Sequence, residues 1–137
     1  MRETTLALML AACGGAVQYG SFVPGREPAQ AAIATDAARK LAASFPGTAQ
    51  AVRFAHDAHD PFGRGLAAEL RKEGFAIRSK PADSELLVRY VVDTVKGTDF
   101  LRATIYVRGQ TFARAYVQRA SGLYPVGPWS VGVRHGS

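Results

Sequence analysis

Hydrophobic side chains in this sequence recur first at helical spacing. Between residues 29 and 45 they stand four residues apart, at Ile33, Ala37, Leu41 and Phe45. The charged residues of this stretch fall on other positions, so the pattern predicts a helix with one buried stripe. Pro46 and Gly47 follow it and predict its end.

A second helical segment has clear signals at both of its ends. Its hydrophobic stripe also repeats every four residues, at Phe62, Leu66 and Leu70. Asp60 is placed to cap the first turn, and Pro61 suits the first helical position because that position has no hydrogen bond to lose. Gly74 is placed to end the helix. We therefore predict a helix between Asp60 and Gly74.

The remaining hydrophobic residues mostly alternate with polar ones, which is typical of strands. The predicted strands cover residues 51–54, 75–78, 85–95, 101–108, 111–118 and 129–133. Gly109 and Gln110 predict a two-residue hairpin loop with glycine first. This loop would place Phe112 opposite Val107 and Arg114 opposite Ile105, so that an arginine intrudes on the core face.

The order of these elements predicts an α+β fold. Two helices would pack on one face of a small, mainly antiparallel mixed sheet, after an extended N-terminal tether. The predicted division is a signal peptide at residues 1–12, a tether at residues 13–28 and a globular domain at residues 29–137.

The N-terminus is similar to the export signal of bacterial lipoproteins. Leu10-Ala11-Ala12-Cys13 looks like a lipobox, in which the cysteine thiol receives a diacylglycerol and becomes the first mature residue. Acyl chains contribute about 0.8 kcal/mol per buried methylene, so more than one chain anchors a protein stably. The alternative is an unmodified cysteine in an apolar segment. The lipoprotein interpretation predicts that Cys13 holds a soluble domain at a membrane.

The predicted tether is rich in glycine and proline but also contains apolar side chains. We predict that Tyr19, Phe22, Val23 and Pro24 form a strip that docks on a partner, since a tether without function would be polar. The alternative that remains open is that these side chains pack back on their own domain.

Composition and charge restrict the class of protein. The chain has 137 residues, 47% of them hydrophobic and 20% charged, which fits one folded domain. Its single cysteine and three histidines exclude an internal disulfide and a four-ligand structural zinc site. The formal charge is +6, and from Phe100 onward there are five arginines and no acid, so one face should be positive.

The sequence offers few groups for catalysis, and no cofactor or enzyme activity is predicted. The one cluster of ligand-type side chains is His56, Asp57, His59 and Asp60. Histidines three residues apart could hold a metal, which leaves a small metal-dependent enzyme as one alternative. We prefer to interpret Asp60 as the helix cap.

A nucleic-acid-binding module is the other alternative. Aromatic side chains lie beside arginines on the predicted strands, at Tyr90, Tyr106, Phe112 and Tyr116. Such rings could stack on bases. Aromatic residues at alternating strand positions more often pack in the core, however, so nucleic acid is not the expected partner.

Taken together, several segments resemble the TrbH family of conjugal-transfer lipoproteins. Besides the lipobox, the segments that carry the resemblance are Tyr19-Gly20-Ser21-Phe22-Val23, Asp60-Pro61-Phe62-Gly63, residues 70–77, Phe112-Ala113-Arg114-Ala115-Tyr116 and Trp129-Ser130. The resemblance implies a structural lipoprotein of a type IV secretion system, anchored through Cys13 on the periplasmic face of the outer membrane. It further implies large channel subunits as partners, a multimeric ring, and a domain similar to the N0 domains of secretins.

Overall fold

The computed structural model describes residues 18–46 and 50–133, and it has the α+β architecture that the sequence predicts. The two helices are α1 (Glu27–Ser44) and α2 (Pro61–Lys72). The strands are β1 (Gly20–Ser21), β2 (Ala51–Phe54), β3 (Ala76–Ile77), β4 (Leu86–Thr94), β5 (Leu101–Val107), β6 (Gln110–Arg119), β7 (Gly122–Pro125) and β8 (Ser130–Val133).

The strands form one mixed sheet in the order β3-β2-β4-β5-β6-β7. The strands β4 to β7 make an antiparallel meander, whereas β2 is parallel to both β3 and β4. The short β1 lies on the same side of β4 as β2. It pairs in parallel with β4 at Val91 and Val92, beyond the part of β4 that pairs with β2. At the opposite edge, β7 and β8 pair with different halves of β6.

The hairpin between β5 and β6 corrects the predicted register. Phe112 lies opposite Ile105, and Arg114 lies opposite Ala103. The loop is Arg108–Gly109 rather than Gly109–Gln110. Arg108 and Gly109 both adopt the left-handed conformation that such a two-residue loop needs, with φ of 52° and 74°. The pairing moves by two residues, an even number, so each side chain stays on its predicted face.

One face of the sheet and both helices enclose the core. The predicted stripe of α2 is fully buried at Phe62, Leu66 and Leu70. The stripe of α1 is buried as well, and Phe45, just beyond that helix, packs edge-on against Phe112 with ring centroids 6.0 Å apart. The sheet contributes Val88, Tyr90, Val92, Ala103, Ile105, Val107 and Phe112.

The signals at the ends of α2 act as predicted. The Asp60 side chain accepts a hydrogen bond from the Gly63 amide at 2.7 Å, which caps the first turn. At the other end Gly74 has φ of 101°, and the Phe75 amide donates to the Leu70 carbonyl. This is the left-handed termination that favours glycine. The strand β7 was not predicted, since it is four residues long, starts at a glycine and ends at a proline.

Candidate functional site

The segment of residues 18–26, which we call the arm, lies along the C-terminal half of β4. Within it, β1 pairs Gly20 with Val91 and Ser21 with Val92. Beyond β1, the Phe22 amide donates to the Val92 carbonyl at 2.7 Å. The arm is therefore attached to the sheet through its backbone.

The carboxylate of Asp60 joins the arm to α2 and to the core. Besides capping α2 through Oδ1, it accepts hydrogen bonds at Oδ2 from the Tyr90 hydroxyl at 2.9 Å and the Ser21 amide at 3.2 Å. Charge-assisted hydrogen bonds of this kind are stronger than neutral ones. One side chain thus fixes the helix start, a core ring and the arm.

Gln30 of α1 holds the arm from the helix side. Its side chain is buried, with 1% exposure, and accepts a hydrogen bond from the Ser21 hydroxyl at 2.6 Å. Its amide group donates to the carbonyls of Val23 at 3.0 Å and Gly25 at 2.6 Å. Because buried polar groups need partners, this glutamine and the arm satisfy each other.

His56 fills the gap between β1 and β2 on the side of β4. Its Nε2 accepts the Tyr90 amide hydrogen at 3.2 Å, in the place where a neighbouring strand would offer a carbonyl. Its Nδ1 lies 2.9 Å from the Asp57 carbonyl, so it carries the proton and donates there. The ring of Tyr19 stacks on this imidazole with centroids 5.4 Å apart, which places the start of the arm.

The four residues of the predicted docking strip do not share one surface. Phe22 is 50% exposed and Pro24 is exposed, whereas Val23 is only 5% exposed and belongs to the core. Tyr19 is partly buried against His56 and Tyr106. In this conformation, the side chains that point outward are those of Phe22 and Pro24. Cys13 lies outside the described residues.

An exposed apolar edge is a feature that sequence reasoning did not find. Along β7, β8 and their connection, the exposed side chains are Tyr124, Val126, Val131 and Val133. The alternation of Val131 and Val133 predicted a strand, but the same pattern also fits a buried edge. In the structure β8 pairs with the outer side of β6, and Val131 and Val133 are 52% and 65% exposed.

The histidine cluster does not assemble ligands. Within residues 18–46 and 50–133, no group of three or more His, Cys, Asp or Glu side chains could hold a metal ion. Both ring nitrogens of His56 are engaged, as described above. Asp57 instead accepts hydrogen bonds from the backbone and the ring of His59, which lower the pKa of its carboxyl group.

Three of the four rings considered for base stacking are in the core. Tyr90, Phe112 and Tyr116 are at most 3% exposed, so their faces are covered by other side chains. The hydroxyls of the two tyrosines donate to carboxylates, Tyr90 to Asp60 and Tyr116 to Asp36. Burial, followed by these hydrogen bonds, raises the pKa of both phenols. Tyr106 is partly exposed and touches Tyr19.

The fold and this site define an α+β domain whose N-terminal arm is fixed on its own sheet. The family model described as conjugal transfer protein TrbH matches residues 16–135. The chain therefore belongs to the TrbH family, which confirms the resemblance read from its sequence.

No curated protein and no solved structure matches the chain. The likeness to N0 domains accordingly stays a prediction. No helix in the described part of the chain is long and apolar enough to cross a bilayer.

Proposed function

We propose that this chain is a lipid-anchored structural subunit in the outer-membrane part of a conjugative type IV secretion machine, where it braces larger channel subunits. Membership of the TrbH family supports the conjugation context. The observation that carries the docking role is the ring of Phe22, which is half exposed on an arm that hydrogen bonds hold in place.

A fixed aromatic ring is well suited to anchor a partner. Aromatic side chains dominate the binding energy of many interfaces, and a ring on an ordered backbone loses little entropy on binding. The burial of Val23 keeps the backbone of Phe22 against β4, and Pro24 extends the exposed surface beside it. In this proposal Phe22 and Pro24 contact the partner, while Tyr19 and Val23 position the arm.

The proposed membrane anchor places this surface near the lipid. Residues 1–12 serve as the export signal, and Cys13 carries the acyl chains on the periplasmic face of the outer membrane. From Cys13 to residue 18 the chain spans at most about 18 Å, since an extended residue covers at most about 3.6 Å. Confinement to the membrane and assembly in a ring would strengthen many weak contacts through effective concentration.

Site-specific photocrosslinking tests the docking role. A benzoylphenylalanine at position 22, in cells that carry the whole transfer machine, is expected to crosslink the chain to large envelope subunits. The matched control places the same residue at Tyr124, an exposed ring on the opposite edge of the sheet. If position 22 gives no such product, or no more than position 124, Phe22 does not dock the partner.

The anchor is tested separately by labelling cells with radioactive palmitate. The wild-type chain is expected to carry label in the outer-membrane fraction, and Cys13→Ser is expected to lose it. An unlabelled wild-type chain would refute the lipid anchor while leaving the crosslinking result to decide the docking role.

A further inference from the structure

A second surface of the molecule is a cleft between α2 and the edge of the sheet formed by β2 and β3. Its volume is about 660 Å³, within the range of ligand sites. Apolar side chains of Phe54, Ala67 and Ile77 contribute to its lining. Neither the docking of the arm nor the family match accounts for this cleft.

The lining of the cleft is positively charged. Arg64 and Arg71 reach it from α2, and Arg78 reaches it from the end of β3. The acid in the lining is Asp57, which is already bonded to His59. Among the ion pairs of residues 18–46 and 50–133, none involves Arg71 or Arg78. These two cations are available to a ligand.

The positive charges are spread along the cleft. Arg64 and Arg71 are seven residues apart on one helix, which separates their backbones by about 10 Å. A smaller cleft of about 320 Å³ adjoins the first at Ile77, Arg78 and Ser79, and it adds Lys80 to the lining. A row of cations suits a chain with several carboxylates better than a single phosphate group.

The wall formed by β3 can offer backbone hydrogen bonds as well. This strand is the last in the sheet order, with β2 as its neighbour. The Ala76 amide donates to the carbonyl of Gln50, just before β2, at 3.2 Å, and the Arg78 amide donates to the Val52 carbonyl of β2 at 2.9 Å. Because successive residues of a strand alternate in direction, the backbone groups of Ile77 face the open side. An extended peptide can pair there, whereas a nucleic acid cannot.

We propose that this cleft, which we call the basic groove, binds an extended acidic segment of a partner protein. The segment pairs with the open side of β3, places carboxylates against Arg71, Arg78 and Lys80, and lays apolar side chains on Phe54 and Ile77. The basic groove would be a second partner-binding surface, separate from the arm. Its binding of a peptide does not depend on lipidation or on Phe22.

Fluorescence anisotropy with a synthetic peptide tests the basic groove. The probe is a fluorescein-labelled octapeptide of alternating glutamate and valine, titrated with the purified full chain. We expect saturable binding that Arg71→Glu combined with Arg78→Glu weakens about tenfold or more. The milder pair Arg71→Gln and Arg78→Gln is expected to weaken binding in the same direction, should the charge reversals fail to fold.

The matched control reverses two exposed arginines outside the groove, Arg39→Glu and Arg108→Glu. It changes the net charge equally and is expected to alter the affinity by less than about twofold. Equal weakening by both double variants, or the absence of saturable binding, would overturn the proposal. So would displacement of the peptide by a ten-nucleotide oligothymidylate at lower concentration than by unlabelled peptide, because the groove would then be a nucleic-acid site.

Discussion

A Cβ atom at Gly63 would lie 2.3 Å from both the carbonyl oxygen of Ala58 and the hydroxyl oxygen of Tyr90. Because Gly63 has no side chain, the first turn of α2 can approach Tyr90, whose hydroxyl donates to Asp60. We expect Gly63→Ala to lower the free energy of unfolding by about 2 kcal/mol, as overpacking does in other cores. Urea denaturation measures this effect.

The control for this substitution is Gly127→Ala, where a Cβ would meet no atom within 4 Å. Its effect should stay within about 0.5 kcal/mol. If both variants unfold at the same urea concentration as the wild type, the contact between α2 and Tyr90 is looser than described.

The phenol of Tyr116 gives the protein a sensitivity to alkaline pH. Burial, and then the hydrogen bond to Asp36, raises its pKa, so the folded state holds the proton more tightly than the unfolded chain. The stability that the protonated Tyr116 contributes is complete below the pKa of the unfolded chain, about 10, and is lost as the pH rises from there toward the higher pKa of the folded state. The wild type should therefore lose about 1 kcal/mol more stability than Tyr116→Phe between pH 8 and pH 11.

Urea unfolding of both proteins at the two pH values checks this difference. Tyr124→Phe is the control, since that ring is exposed and bonds Ser121 at the surface. It should lose as much stability as the wild type. An equal loss in Tyr116→Phe would mean that the phenolate is tolerated at this position.

At the level of elements, Gln30 ties the arm to α1 in addition to the pairing of β1 with β4. In Gln30→Ala the carbonyls of Val23 and Gly25 and the hydroxyl of Ser21 lose their partner. Two or three lost hydrogen bonds amount to about 2 kcal/mol, so the arm should open about 30-fold more often. Hydrogen exchange of the Phe22 amide, which bonds β4, reports this opening.

The comparison variant is Gln118→Ala, an exposed glutamine whose side chain bonds a neighbouring carbonyl. Exchange at Phe22 should not change in it. Unchanged exchange in Gln30→Ala would show that the pairing with β4 alone holds the arm, and that the glutamine network is dispensable.

Elements with strong local signals could be predicted from the sequence, and those defined by distant pairing could not. The cap, the proline and the terminal glycine fix α2 within its own residues. The strand β1 has two residues and depends on β4, some seventy positions away in the chain. For the same reason the sequence could indicate Phe22 and Val23 together, but only the register on β4 decides which of them points outward.

At the level of the whole molecule, Arg114 ties the far strands of the sheet to α1. The sequence predicts an arginine on the core face of β6 but offers no partner for it, because the acid lies 78 residues away. That acid is Asp36, whose carboxylate accepts hydrogen bonds from Arg114 at 2.8 Å and from the Tyr116 hydroxyl at 2.5 Å. A charge on the core face is tolerated because it is paired.

Asp36→Ala should therefore lower the free energy of unfolding by about 2 kcal/mol, since it leaves the Tyr116 phenol without its acceptor and the largely buried Arg114 guanidinium with only the Gly127 carbonyl. The pair of Asp93 with Arg102 is the comparison, for its shortest contact is similar at 2.9 Å, but the arginine binds through two nitrogens and is more exposed, 44% against 20% for Arg114. Asp93→Ala should cost less than about 1 kcal/mol. Double-mutant cycles that also replace Arg114 or Arg102 by alanine separate the coupling energy of each ion pair from the other effects of removing a side chain. Equal coupling energies in the two cycles would show that burial does not strengthen the pair that joins α1 to β6.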